Sequence, residues 1–138
     1  EREVAATESG TVREGRPPLL CLGSTMPNPQ KRKGTSWESA IVAFLRERGI
    51  DAVRVAQTGV KDTGDIHAGE WMIEAKNARS IDLAAFCDQT ENERQNSGKT
   101  YGVVVVKRRN HGAAKGYAVM TLETLAEIMH ELGRGDGA

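Results

Sequence analysis

Gly64-Asp65-Ile66-His67-Ala68-Gly69-Glu70-Trp71-Met72-Ile73-Glu74-Ala75-Lys76 reads as two short strands joined by a tight link near Gly69. Side chains alternate along a strand, so Met72, Glu74 and Lys76 share one face while Trp71, Ile73 and Ala75 share the other. The second set is apolar and belongs to a core, which leaves two charges at the strand end on the opposite face. Asp65 follows a loop, and the glycine before it lets the backbone turn freely. Two carboxylates and an ammonium gathered at a strand end suit hydrolysis of a phosphodiester. The acids can hold a divalent cation, and the lysine can steer or polarise the attacking water.

Upstream of this stretch, Gly34-Thr35-Ser36-Trp37-Glu38 opens a helix, with Thr35 or Ser36 as N-cap and Glu38 completing a capping box. Its apolar side holds Trp37, Ala40, Ile41, Phe44 and Leu45, and Gly49 closes it. Glu38 has two compatible roles, the capping acid or a third acid that faces the sheet. Residues 52–56 form a short strand and residues 57–64 a polar loop that carries Thr58 and Lys61. Downstream, residues 81–96 suit a helix, apolar at Leu83, Ala84, Phe86 and Cys87 and polar later, ended by Gly98. Gln89 on this helix either turns to the site or lies exposed, exposure being the default for a helix glutamine. Residues 101–106 make a valine-rich strand covered on both faces. A basic loop, a strand over residues 117–121 and an amphipathic helix over residues 122–132, stopped by Gly133, complete the chain. The order α-β-β-β-α-β-β-α predicts an α/β fold, a mixed central sheet flanked by helices.

With 138 residues, 38% hydrophobic and 28% charged, the composition fits one small globular domain over residues 28–138. Residues 1–27 hold three of the four prolines and no periodicity, and read as a flexible extension. Met26, just before the organised part, is a candidate natural start. No apolar run is long enough to cross a membrane, and residues 1–25 lack the unbroken apolar core of a secretory signal. Cys21 and Cys87 have neither metal-ligand spacing nor a disulfide framework, consistent with reduced thiols in a cytoplasm. His67, His111 and His130 show no zinc spacing, and residues 112–116 lack the strand–glycine–helix frame of a nucleotide phosphate loop. The 19 basic and 19 acidic side chains cancel, yet Lys31, Arg32 and Lys33 cluster, as do Lys107, Arg108, Arg109 and Lys115. Basic loops beside an acidic pocket can grip phosphates with no net charge, while either cluster taken singly reads equally well as scattered solvated charge.

Lys33-Gly34-x-x-x-Glu38, Arg54-Val55, Thr58-Gly59, Asp65-Ile66 and Ile73-Glu74-Ala75-Lys76 resemble, in that order, the Holliday junction resolvases of the PD-(D/E)xK nuclease superfamily. The order is that of the archaeal enzymes. Small resolvase-like proteins of actinobacterial phages are closer still, beginning near a stretch like Pro29-Gln30-Lys31, and the likeness spans residues 28–132. It implies a restriction-endonuclease-like core with Glu38, Asp65, Glu74 and Lys76 catalytic. Asp65, Glu74 and the Ala75 carbonyl would be the ligands of Mg²⁺, with Glu38 a further candidate, and Mn²⁺ can substitute for Mg²⁺. Thr58 stands where the archaeal enzymes have a serine that contributes to cleavage, and Gly64 replaces the proline of the superfamily's name. The expected partner is branched or duplex DNA, bound by Lys31, Arg32, Lys33, Arg54, Thr58, Lys61, Arg79, Lys107, Arg108, Arg109 and Lys115. A homodimer would match the two-fold symmetry of a junction. No membrane and no nucleotide cofactor are expected, and a phage protein would act in its host's cytoplasm. The rival expectations are another task for the same nuclease fold, such as nicking, trimming or restriction, and a DNA-binding module without activity.

Overall fold

The computed structural model describes residues 29–57 and 59–135, so the extension over residues 1–27, with Cys21 and Met26, and Thr58 lie outside the described residues. Helix α1 (Pro29–Glu47) starts six residues before the expected cap at Thr35. A proline suits the first helical turn, where its missing N–H has no partner to lose. Thr35 and Ser36 therefore lie inside the helix and exposed, and the expected capping box does not form. Glu38 is left free for its other role. The helix buries Trp37, Ile41 and Val42 against the sheet, with Ala40 and Leu45 packed beside them.

Five strands follow: β1 (Ala52–Arg54), β2 (Ile66–Ala68), β3 (Trp71–Lys76), β4 (Tyr101–Val106) and β5 (Tyr117–Val119). They form one sheet in sequence order. The pairs β1–β2, β2–β3 and β4–β5 are antiparallel and β3–β4 is parallel, so the sheet is mixed, as expected. The parallel pair needs a crossover, which α2 (Leu83–Ser97) supplies. Asp82 caps α2 by accepting from the Ala85 N–H at 3.0 Å, and the helix starts at Leu83, two residues later than the expected start at residue 81. At the other end Gly98 takes a left-handed conformation and closes the helix. A 3-10 turn (Ala113–Lys115) precedes β5, and α3 (Leu122–Gly135) runs past Gly133.

The two faces of β3 separate as the alternation predicts. Ile73 joins Trp37, Ile41, Ala52, Ile66, Ala68 and Val103 in the core under α1, with Trp71 and Ala75 packed against it. The other face of β3 and β4 lies under α2. There the approach is close at Gly102, where a Cβ would stand 3.2 Å from the Thr90 and Arg94 side chains. Of the apolar residues early in the helix, Leu83 and Ala84 are exposed, and α2 turns Thr90 and Glu93 inward instead. Helix α3 likewise leaves Leu122, Leu125, Met129 and Leu132 exposed and half-buries Thr124 and Ile128. None of the helices among the described residues is long and apolar enough to cross a membrane.

Gly64 fixes the turn that delivers Asp65. Its φ of 91° lies in the left-handed region, and a Cβ there would collide with Sδ and Cγ of the fully buried Met72. Both burdens fall on Gly64→Ala, which should lose about 2–4 kcal/mol of unfolding free energy in urea titration. A loss below about 1 kcal/mol would mean that the turn relaxes freely.

Candidate active site

Asp65 is held by three hydrogen bonds between strands. Its N–H donates to the Ile73 carbonyl at 3.2 Å, and its carbonyl accepts from the Val55 N–H at 2.9 Å. Its side-chain Oδ2 accepts from the Ala75 N–H at 2.9 Å. The carboxylate thus sits at the backbone between Glu74 and Lys76. In an extended strand one residue's N–H and C=O leave on the same edge, so the Ala75 carbonyl also faces the Asp65 side.

Glu74 and Lys76 project from the α2 face of β3, as their spacing predicts. Lys76 Nζ stands 3.3 Å from Glu74 Oε2. It also donates to Gln89 Oε1 at 2.8 Å and lies 5.2 Å from the centre of the Phe86 ring. Gln89 Nε2 donates to Glu74 Oε2 at 3.1 Å and to Glu93 Oε2 at 2.7 Å. Gln89 therefore turns inward, the opposite of the default for a helix glutamine. The other oxygens of Glu74 and Glu93 are buried without a partner. Glu93, only 2% exposed, carries no mark of its role in the sequence. The one available signal is its place four residues after Gln89, on the face of α2 that also holds Phe86 and Thr90.

Glu38 reaches the edge of this group. Its Oε1 accepts from Arg54 Nε at 3.2 Å, and burial first, then the charge of Asp65, pushes its carboxyl above the usual range. Arg54 is thereby paired with an acid. Among the other expected phosphate contacts, Lys33, Arg79, Lys107 and Arg109 line one cleft of about 350 Å³ together with Asn77 and Asn110. None of these four forms an ion pair with a described residue. Lys107 packs over the Trp37 ring at 5.4 Å and donates to the His111 carbonyl at 2.7 Å. Trp37 in turn donates to the Val105 carbonyl at 3.1 Å. Because Asn77 follows Lys76 directly, the cleft continues from the end of β3. Lys31, Arg32, Lys61, Arg108 and Lys115 are exposed outside that cleft, and Lys31 and Arg32 lie outside the compact unit Lys33–Ala138.

The acids crowd one another. Burial, then interaction with the Glu93 carboxyl, then the charges of Asp65 and Glu93 push Glu74 up to about 10, against the lowering effect of Lys76. Burial likewise raises Glu93. Among the described residues no three acids, histidines or cysteines form a preassembled metal cluster. The donors that fit a hard cation are Asp65, Glu74 with its unpartnered Oε1, and the Ala75 carbonyl. All are oxygens, and two carboxylates suffice for Mg²⁺ when substrate and water complete the shell.

A carboxyl raised in the folded state keeps a proton that the unfolded chain has lost. Its stabilising effect is full below the ordinary pKa of 4.5 and is lost as pH rises toward about 10. In chelator, the protein should therefore lose stability from mildly acid to alkaline pH. Glu74→Gln should raise the melting temperature at alkaline pH and flatten that fall. A variant that melts lower than wild type in chelator at alkaline pH would contradict this.

No protein-family model matches the chain, and no curated protein is similar to it. Among solved structures, it is similar to a Holliday junction resolvase from the archaeal hyperthermophile Archaeoglobus fulgidus. The identity is 28%, over 57% of this chain and 67% of that one, with a TM-score of 0.44.

Proposed function

We propose that the chain is a divalent-metal-dependent DNA endonuclease whose substrate is the Holliday junction. The observation that carries the endonuclease reading is the bond from the Ala75 N–H to Asp65 Oδ2, which sets one carboxylate against the strand that bears Glu74 and Lys76. The junction as substrate rests on the motif order, from Glu38 through Asp65 to Glu74-Ala75-Lys76.

A bound Mg²⁺ would polarise the scissile phosphate and spread its developing charge. Asp65, Glu74 and the Ala75 carbonyl are the groups to hold it. Lys76, restrained by Gln89 and Glu74, orients water for in-line attack on phosphorus and stabilises charge as it develops. The water oxygen stays on phosphorus and the P–O3′ bond breaks. The products are a 5′-phosphate and a 3′-hydroxyl, which takes up a proton. Lys33, Arg79, Lys107 and Arg109 hold neighbouring phosphates without reading bases, which suits recognition by DNA shape. Two copies related by a two-fold axis would place two sites on the two strands to be cut.

The test is incubation with a four-way junction, a matched linear duplex and a single strand, in Mg²⁺ or EDTA. Symmetric, metal-dependent nicking of the junction alone is expected. Equal cutting of all three would remove junction selectivity and leave a general nuclease, while no cutting under any metal would leave a DNA-binding module. Asp65→Asn should lower cleavage roughly 100-fold or more, since even indirect disturbance of a metal site costs about 10–100-fold. Junction binding by this variant should stay near wild type in a mobility-shift titration. Loss of both would make Asp65 structural.

A further inference from the structure

Helix α2 buries an acid where an apolar residue would be expected. Glu93 is 2% exposed, one carboxylate oxygen has no partner, and the other accepts from Gln89 Nε2 at 2.7 Å. Burying such a group is expensive, a cost that an apolar side chain would not carry. A role at the site would explain why an acid is kept there.

The hydrogen bonds show what that role can be. An amide has one accepting end and one donating end, and a helix glutamine can present either. Glu93 Oε2 accepts from Gln89 Nε2 and so draws the NH₂ end of the amide toward itself. With that end committed to Glu93 and Glu74, Gln89 Oε1 faces Lys76 Nζ at 2.8 Å. Were the amide reversed, its NH₂ would confront the ammonium and its oxygen would confront two carboxyls. The spacing of four residues along α2 puts Gln89 and Glu93 one above the other, so the constraint is built into a rigid element.

We propose that Glu93 is a positioning residue that fixes the orientation of the Gln89 amide and, through it, the place of the Lys76 ammonium. It acts through Gln89, with which it hydrogen-bonds, and not on the reacting atoms. The proposal rests on the endonuclease reading only for its effect on cleavage, since the orientation of Gln89 can be observed without any reaction.

The test compares full-length wild type, Glu93→Gln and Glu93→Ala. Should Glu93→Ala fail to fold, Glu93→Met fills the volume without an acceptor oxygen. One readout is the Gln89 side-chain amide in ¹⁵N NMR, the other is kcat and KM for Mg²⁺-dependent junction cleavage. Glu93→Gln keeps an acceptor, so it should preserve the Gln89 amide shift and slow exchange and stay within about 3-fold of wild-type kcat. Glu93→Ala should move that amide to the shift and exchange rate of a solvated side chain and lower kcat about 10–100-fold at unchanged KM. A merely structural Glu93 would lower the melting temperature without moving the Gln89 amide or separating kcat from KM, and that result overturns the proposal. So does equal loss of kcat in Glu93→Gln and Glu93→Ala. If wild type cuts no DNA, the endonuclease reading fails, and the Gln89 amide in the variants still decides for or against positioning by Glu93.

Discussion

The hydrogen bond from the Ala75 N–H to Asp65 Oδ2 joins the head of β2 to the tail of β3, and the site depends on it. A carboxylate in a loop would sample many positions. Here its backbone is pinned on both sides, by Ile73 and Val55, and its side chain replaces the ladder contact that the strand would otherwise make. Gly64 makes this arrangement possible, because only a residue without a Cβ passes Met72 in that conformation. Strand pairing, turn geometry and the placing of one acid are thus a single constraint.

Electrostatics gives that constraint its chemical meaning. Asp65 and Glu93 both bear on Glu74, and Lys76 relieves only part of the repulsion. Left alone, the cluster takes up a proton. A divalent cation would supply the missing charge and displace that proton, which links metal binding to deprotonation. Cations continue the site in the other direction, where the cleft of Lys33, Arg79, Lys107 and Arg109 lies beyond the end of β3. An acidic pocket and a basic groove meet at Lys76, which explains how a chain of zero net charge can present a local grip for phosphate.

Much of this was legible in the residues. Alternation along residues 71–76 assigned each side chain of β3 to its face, and the element order matches the structure. The start of α1 was not legible, because Thr35 and Glu38 satisfy the local capping pattern while Pro29 begins the helix earlier. Local capping signals compete, and an upstream start that extends the helix can override a downstream one. Gln89 and Glu93 were hidden for a different reason. Periodicity finds a buried face by its apolar residues, whereas α2 buries Thr90 and Glu93 toward the sheet and exposes Leu83. A polar face turned inward looks, in sequence, like a polar face turned outward.

The central claim is that Asp65 and Glu74 together hold a divalent cation. Calorimetric titration of Mn²⁺ into metal-free protein, in two buffers of different ionisation enthalpy, tests it without any nucleic acid. Saturable binding accompanied by proton release is predicted for wild type, weakened about 10-fold or more in Asp65→Asn. Equal binding by both proteins, or none by wild type, would contradict it.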